Sequence, residues 1–459
     1  MDKKLFLVAL IFLLNACAMF PNLGKEEEKY GNEDDRVSIL KSGSKAFIDY
    51  RAESMPVTVP KVRFNNKWYK SHGFNELTPE NISSPLEFNE RAIESIGKKT
   101  SKTVKYRISP IIAKDKIFTI DSKGKVTAFD VNDIRNRIWV YNITIDEEAG
   151  NFSNAGILYN QGRIFISSGY NKVVALDAET GELIWERLIN GIARSAPDAH
   201  DGILLVNTAE NKLYALDIED GAILWNHNGT AEEISVLGTA SPVAHGNLAF
   251  ASYSSGELYA LNIKNGNIIW FDSLSTSSDI KSGSFVDIDS APLVVGNKIF
   301  VINHQGVLAA YSTFSGERIW DIEVSGGKNL WYADGYIYLV NNNSQLIAVN
   351  TEVGGIAWIK QLDQYKKPER KIGKYNWVGP VLAQNRLLVA GEHGVLLSIS
   401  PKNGEILDKT DILQGVSHSP VVAHDTVYTI TQSGKLVIYK YSEKARNKSL
   451  TEKIKNIVN

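Results

Sequence analysis

The stretch ALDAETGELIW at residues 175–185 decides the fold, because the chain repeats it. Residues 215–225 read ALDIEDGAILW and residues 260–270 read ALNIKNGNIIW, so the unit returns with a period of about 44 residues. The motif starts again at Ala128, Ala310 and Ala348, with Ser398 and Ile438 in the same phase. The tryptophans that close it are Trp139, Trp185, Trp225, Trp270, Trp320 and Trp358, and Asp408 takes their place in the seventh unit.

The other half of each unit is a small residue or proline followed by an apolar hairpin. Clear copies are SPVAHGNLAFAS (241–252), APLVVGNKIFVI (291–302) and SPVVAHDTVYTI (419–430), and eight such segments occur in all. Alternating β-branched and aromatic residues, broken by Asp-Gly, Asn-Gly and Thr-Gly turns, predict short antiparallel strands. The sequence therefore predicts an all-β protein over residues 60–441, an eight-bladed β-propeller with four-stranded antiparallel blades.

Closure of this ring needs a strand from elsewhere, because the last unit ends at GKLVIYKY (434–441) without a tryptophan strand. The segment FNNKWYKSHG (64–73) contains Trp68, and we expect it to complete the final blade as an N-terminal strand. The repeated tryptophans are expected to pack between blades and to donate their indole N–H to a backbone carbonyl, rather than to contact a ligand. The glycine of each motif is expected to take a positive φ in the turn.

Composition excludes several classes of function. Lys and Arg number 50 against 52 Asp and Glu, which is no nucleic-acid signature, and 43% of the residues are apolar, as in a folded soluble protein. Cys17 is the single cysteine, so the chain forms no internal disulfide and no thiolate metal cluster. His200, His245 and His424 fall in separate blades, so neither a metal site nor a cofactor is predicted.

The N-terminus has the pattern of an export signal. It reads MDKKLFLVALIFLLNAC, with two lysines before an apolar run too short to span a bilayer. The segment Leu14-Asn15-Ala16-Cys17 resembles the bacterial lipobox, which implies a signal peptide over 1–16 and a lipidated Cys17 anchored in outer-membrane lipid. An ordinary signal peptide with an incidental cysteine is the alternative. Residues 17–59 are predicted to be a flexible tether, and residues 442–459 form a basic tail.

The unit A-[LFYV]-[DN]-x-x-x-G-x-x-x-W resembles the PQQ-type β-propeller repeat over most of residues 60–441. Two kinds of protein carry such a disc: quinoprotein dehydrogenases, which hold pyrroloquinoline quinone and calcium, and the BamB family of lipoproteins. The adjacent cysteine pair and the C-x-x-C-H haem motif of the dehydrogenases are missing from this sequence. The lipobox, the acidic tether and the eight units are similar to the BamB family. That resemblance implies a non-catalytic, periplasm-facing scaffold that helps to assemble outer-membrane β-barrels. A quinone-dependent dehydrogenase and a propeller that binds envelope polysaccharide are the alternatives.

Two loops carry the partner-binding residues that this resemblance implies. ISVLGTASPVA (234–244) and FVDIDSAPLVV (285–295) are similar to the family's loops for a POTRA domain of the barrel-forming subunit. The matching residues are Ile234 and Val236 in the first loop and Asp287 and Asp289 in the second, while Leu237 stands where the family has an arginine. Unfolded barrel proteins are a further possible partner, through strand addition to the blades.

The spacing of the loops gives an independent argument for a shared surface. Both loops shortly precede the proline-led hairpins of consecutive units, which predicts neighbouring positions on one face of the disc. In Val-Asp-Ile-Asp the two carboxylates alternate, so both are expected to point the same way, toward water or a cationic partner. A solvated strand end remains an alternative, as does acid–base or calcium chemistry, for which no further ligand cluster is evident.

An insertion at residues 360–377 reads KQLDQYKKPERKIGKYNW and holds six basic residues, two tyrosines and a tryptophan. It is either a long polar loop between blades or a contact for anionic lipid headgroups or an acidic patch on a partner.

Overall fold

Eight four-stranded antiparallel sheets make up most of the described part of the protein, as the repeat predicts. The computed structural model describes residues 46–71, 80–88, 90–99, 108–143, 155–230, 239–274, 287–288, 290–327 and 329–441. Ser44–Asn459 form one compact unit, and the architecture below refers to its described part. Within that part no helix has the length and apolar character that crossing a bilayer requires.

Strands are numbered along the chain, beginning with β1 (Glu90–Ser95). Blade 1 contains β2 (Ile111–Ala113), β3 (Lys116–Ile120), β4 (Lys125–Asp130) and β5 (Arg137–Asn142), and blade 2 contains β6 (Gly156–Asn160), β7 (Arg163–Ser167), β8 (Lys172–Asp177) and β9 (Leu183–Leu188). Blade 3 contains β10 (Asp198–His200), β11 (Ile203–Asn207), β12 (Lys212–Asp217) and β13 (Ile223–Asn228), and blade 4 contains β14 (Val243–His245), β15 (Leu248–Ser252), β16 (Glu257–Asn262) and β17 (Ile268–Ser273). Blade 5 contains β18 (Leu293–Val295), β19 (Lys298–Ile302), β20 (Val307–Ser312) and β21 (Arg318–Glu323), and blade 6 contains β22 (Trp331–Ala333), β23 (Tyr336–Val340), β24 (Gln345–Asn350) and β25 (Gly355–Gln361). Blade 7 contains β28 (Trp377–Ala383), β29 (Arg386–Gly391), β30 (Val395–Ile399) and β31 (Ile406–Asp411), and blade 8 contains β32 (Val421–Ala423), β33 (Thr426–Ile430) and β34 (Lys435–Lys440). A helical turn α1 (Tyr50–Glu53), a hairpin of β26 (Tyr365–Lys367) and β27 (Ile372–Lys374), and a 3-10 turn (Pro368–Arg370) complete the described elements.

Each blade starts with an inner strand beside the propeller axis and ends with an outer strand at the rim. The second and third strands are almost wholly buried, as in β3 and β11, because neighbouring blades cover both of their faces. Most outer strands are largely exposed, and in β9 only Trp185 is buried. The core therefore lies between blades, where each sheet packs its apolar side chains against the next.

Strand direction divides the connections between two faces of the disc. The turns between the first and second strands, and those between the third and fourth strands, lie on one face, which we call the turn face. The connections between the second and third strands, and those between successive blades, lie on the other, which we call the loop face. Both predicted partner loops connect successive blades, so they belong to the loop face.

The repeated tryptophan and glycine form one contact between adjacent blades. Trp185 donates its indole N–H to the carbonyl of Ile218 in the next blade at 3.1 Å, and Trp270 donates to Thr313 at 2.9 Å. The ring also lies against the next motif glycine: a Cβ on Gly221 would sit 2.6 Å from Trp185, at a φ of +71°. Trp139, Trp225, Trp320 and Trp358 make the equivalent hydrogen bonds. The motif thus encodes the joint between blades.

The ring closes with a different strand from the one predicted. β1 pairs antiparallel with β34, and Ala92 stands opposite Ile438, at the position where blades 1 to 6 have their tryptophan. Trp68 is not in this blade: its backbone pairs with Ile112 on an inner strand. The prediction was wrong because an edge strand is recognised through backbone hydrogen bonds, which do not require the motif tryptophan.

Residues 46–59, assigned to the tether, are packed against blade 6. Ile48 forms a parallel bridge with Ile356, and Asp49 N donates to the Ile356 carbonyl at 2.9 Å. The turn of α1 buries Ala52 completely. A Cβ on Gly355 would come within 3.0 Å of both Asp49 and Ala52, so this blade edge is shaped for the segment. The folded body therefore begins ahead of residue 60.

Candidate partner-binding face

Most of the predicted partner residues lie outside the described residues. Ile234, Val236 and Leu237 fall within 231–238, and Asp289 is also outside. The structure does describe the residues that lead into and out of both loops. Their positions show where the two loops are attached.

The first loop leaves blade 3 against blade 4. Gly229 donates its N–H to the Asn211 carbonyl at 2.8 Å and packs on the ring of Tyr253, where an added Cβ would meet Cδ2 at 2.4 Å. Thr230 is held twice by Glu257, through its backbone N–H at 2.9 Å and its hydroxyl at 2.8 Å. Asn211 also donates from Nδ2 to the Thr230 carbonyl at 2.7 Å. The start of this loop is therefore fixed.

The second loop is attached to the same turn of blade 4, residues 253–256. Leu274 donates its N–H to the Gly256 carbonyl at 2.9 Å as the chain leaves β17. When the chain returns, Ile288 N lies 3.4 Å from the carbonyl of Tyr253. The described ends of the two loops thus converge on one turn of the loop face. The spacing argument from the sequence leads to the same arrangement.

An aromatic cluster supports this turn. The hydroxyl of Tyr253 lies 2.9 Å from Nδ1 of His227, and the His227 ring packs on Tyr259 with centroids 4.5 Å apart. Tyr259 stacks in turn on Phe271, which is 62% exposed. Burial raises the pKa of Tyr253, and burial lowers the pKa of His227 despite the opposing charge of Glu257. The pair is therefore neutral near pH 7 and acts as a hydrogen-bonded support.

Sequence reasoning missed Tyr253, although a signal was present. The same position in the turns of other blades is small and polar, as in Asp121, Thr208 and Asn303. Among these four blades, only blade 4 has a tyrosine at this position. Its ring reaches Gly229 across the blade boundary, which a small side chain could not do.

Glu257 ties the first loop to blade 4 electrostatically. Burial alone would raise the pKa of its carboxyl, but hydrogen bonds from Thr230, Ser255 and Tyr259 outweigh burial and hold that pKa below its usual range. The carboxylate is thus the form that the site stabilises. This role was not apparent from the sequence, where Glu257 looks like any charged residue on a strand.

Asp287 differs from its expected environment. Its side chain is 2% exposed, and its backbone carbonyl accepts a hydrogen bond from His304 N at 2.8 Å. The expectation that this carboxylate faces water was therefore wrong. Ile288 is buried as well, because the segment enters the ring here and is covered by the neighbouring turn.

The basic insertion forms an exposed hairpin on the same face. β26 and β27 pair through Tyr365 and Lys374, and exposed Lys367 and Arg370 lie at the end of β26 and in the turn that follows it. Tyr375 stacks on His393 at 3.8 Å, and Trp377 donates its indole N–H to the Asp363 carbonyl at 2.8 Å. The aromatic residues at the base thus fix the hairpin, and its basic residues are exposed, although Lys374 Nζ donates to the Asn342 carbonyl at 3.0 Å.

The described residues do not fit a quinone and calcium pair. They contain no group of three or more His, Cys, Asp or Glu side chains arranged to hold a metal ion. The sequence has one cysteine, so it cannot supply an adjacent cysteine pair.

Comparison with known proteins gives sequence relatives among BamB proteins and a shared fold with quinoprotein dehydrogenases. Residues 135–360 match the family model described as "Outer membrane protein assembly factor BamB". The protein of that name from Moranella endobia is 26% identical over 72% of this chain and 84% of its own length. The crystal structure of BamB from Moraxella catarrhalis has a TM-score of 0.61 at 19% identity and covers 76% of this chain and 100% of that one. The quinohemoprotein alcohol dehydrogenase of Comamonas testosteroni has a TM-score of 0.60 at 13% identity over 79% of each chain, which shows a shared fold alone.

The chain is therefore an eight-bladed β-propeller with PQQ-like repeats. Its sequence relatives include BamB proteins, and the resemblance to the BamB family that the repeats indicate is confirmed.

Proposed function

We propose that this protein is a non-catalytic scaffold of the outer-membrane β-barrel assembly machinery, anchored through lipidated Cys17 and facing the periplasm. The observation that carries the proposal is the convergence of two loops on the turn at Tyr253, in a chain whose relatives are outer-membrane assembly factors. Two loops attached to one turn can present a joint surface, which suits recognition of another folded protein. We propose a POTRA domain of the barrel-forming subunit as the partner.

The chemistry of the two loops supports a mixed contact. Ile234 and Val236 supply apolar area, and Asp289 supplies a charge for a basic patch. The exposed side chain of Phe271 lies beside the first loop's support and extends the apolar part. Leu237 replaces the arginine of the resembled family, so the contact is more apolar at that point.

Exposed blade edges provide a second surface for barrel precursors. The outer strands end the sheets at the rim, and their exposed pairs Ile223–Leu224 and Ile268–Ile269 are each about half exposed, at 45–48% and 50–51%. An extended apolar segment can pair with such an edge by strand addition. The bridge between Ile48 and Ile356 is an instance of this pairing within the chain.

Co-purification of the barrel-forming subunit tests the proposal. Val236→Asp and Asp289→Lys should each reduce recovery of the subunit strongly, because an unpaired charge in an apolar contact or a like-charge pair costs several kcal/mol. Asp287 is unsuitable for this test, since a lysine at a buried position would disturb folding. The matched control is Glu182→Lys, an exposed charge reversal on the turn face.

Equal recovery with wild-type protein and both folded loop variants would contradict the proposal. Equal loss with Glu182→Lys would attribute the effect to net charge and not to this surface.

A further inference from the structure

The centre of the ring is filled by the chain itself. Residues 60–71 and 80–86, which we call the channel segment, contact the inner strands that surround the propeller axis. One limb pairs with blades 1 and 2 through Trp68 and Lys70, and the other pairs with blade 7 through Ile82. The two limbs also pair with each other, because Arg63 N donates to the Asn81 carbonyl at 2.9 Å.

The first limb binds the inner strands as an added strand. Trp68 and Ile112 exchange both backbone hydrogen bonds, at 2.7 and 2.8 Å. One residue further on, Tyr159 N donates to the Tyr69 carbonyl at 2.7 Å, and Ser71 N donates to the Ile157 carbonyl at 3.0 Å. The limb therefore passes from the inner edge of blade 1 to that of blade 2. Such pairing accepts a backbone of any sequence, so selectivity must come from the side chains.

Trp68 occupies an aromatic pocket at this edge. Its side chain is 5% exposed and stacks on Trp331 of blade 6 with centroids 6.2 Å apart. The Trp331 indole in turn donates to the carbonyl of Glu80 on the second limb at 2.9 Å. A buried aromatic side chain of this size is the kind of residue that anchors a bound peptide.

Lys70 occupies a second, polar pocket. Its side chain is 5% exposed, with Nζ 3.3 Å from Oδ2 of Asp198 in blade 3 and 2.9 Å from the carbonyl of Pro242 at blade 4. The same carboxylate oxygen accepts a hydrogen bond from Ala244 N at 3.0 Å. A buried ammonium group needs such partners, so the pocket favours a lysine over an apolar residue of equal length.

We propose that the inner edges of blades 1 and 2, with the Trp331 and Asp198 pockets, form a binding site for an extended Trp-x-Lys segment, which residues 66–71 occupy in cis as a plug. The plug closes the channel to other ligands. The site lies on the inner strands and is distinct from the two partner loops. A failure of this proposal would therefore leave the proposed function untouched.

A labelled peptide of residues 62–71 tests the site in the full-length protein. Wild-type protein should show no saturable binding by fluorescence anisotropy, because its own segment competes at an effective concentration in the millimolar range. In Trp68→Ala/Lys70→Ala the cis segment loses both anchors, and the peptide should bind at least about tenfold more tightly than to wild type. Adding Asp198→Asn to this variant should weaken binding again, because the lysine pocket loses its charge.

A control peptide makes the result decisive. A peptide with alanine at the positions of Trp68 and Lys70 should not bind the double variant; equal binding would overturn the assignment of the two pockets. Absence of peptide binding to a folded double variant, or equal binding to wild type, would overturn the site itself.

Hydrogen exchange provides a readout if the double variant does not fold. In Lys70→Met, whose side chain keeps its length, the amides of Ile112 and Tyr159 should exchange faster than in wild type, while those of the rim strand β17 should not change. Unchanged protection at both inner-strand amides would contradict a plug held by the lysine pocket.

Discussion

Gly221→Ala tests whether the repeat motif encodes the contact between blades. Gly221 and Gly202 both lie in turns of blade 3, with φ of +71° and +80°. A Cβ on Gly202 would meet nothing within 4 Å, whereas one on Gly221 would approach Cε3 of Trp185 to 2.6 Å. The two substitutions therefore share the backbone strain and differ only in the clash.

The expected costs follow from these contacts. A left-handed conformation costs a non-glycine residue about 1–2 kcal/mol, so Gly202→Ala should destabilise the protein by about that amount. Gly221→Ala adds overpacking of about 1–3 kcal/mol. Displacing the Trp185 ring from its 3.1 Å hydrogen bond to Ile218 removes about 1 kcal/mol more. The total for Gly221→Ala is about 3–6 kcal/mol.

Equilibrium urea unfolding followed by circular dichroism measures both values. Trp185→Phe provides the double-mutant control: if the clash with the indole is responsible, Gly221→Ala should cost clearly less in the Trp185→Phe background than in wild type. Equal destabilisation by Gly221→Ala and Gly202→Ala would refute the assignment of this glycine to the inter-blade contact.

Three further predictions concern the anchor, the ring closure and a loop support. Cys17→Ser should release the protein from the membrane pellet into the soluble fraction, because stable anchoring requires acyl chains; unchanged pelleting would remove the lipid anchor. Ala92→Pro should lower the denaturation temperature and promote aggregation, since it interrupts β1 opposite Ile438 and exposes the edge of β34; a melting temperature equal to that of wild type would mean that β1 does not close the ring. The pKa of Glu257 is lowered in the folded state, so its contribution to stability is present above its ordinary pKa of 4.5 and is lost as the pH falls through the folded value. The difference in unfolding free energy between wild type and Glu257→Gln should therefore shrink as the pH drops below about 4.5, whereas a constant difference would show that the carboxylate charge is not what holds Thr230.

The blade number and the joint between blades were readable from the sequence, because each repeat contains its own strand and turn signals. The tryptophan and glycine of the motif recur at a fixed spacing, and each pair meets across one blade boundary, as Trp185 and Gly221 do. Such contacts between neighbouring repeats depend on local sequence, so periodicity alone locates them.

Long-range choices were decided only in the folded structure. Trp68 has the local sequence of a rim strand, yet it binds Ile112 at the axis, because backbone pairing lets an extended segment join any free edge. β1 closes the ring without a tryptophan, since the position opposite Ile438 accepts alanine.

The burial and contacts of single residues likewise became visible only in the folded structure. Asp287 lies in a polar, alternating stretch that suggests exposure, but the chain enters the ring there and the turn at His304 covers it. Gly355 and Ala357 make one rim edge small enough for the segment around Asp49, a fit between residues about 300 positions apart. Repetition fixes what is local, whereas the pairing of free edges and the burial of single side chains depend on which distant segments the closed ring brings together.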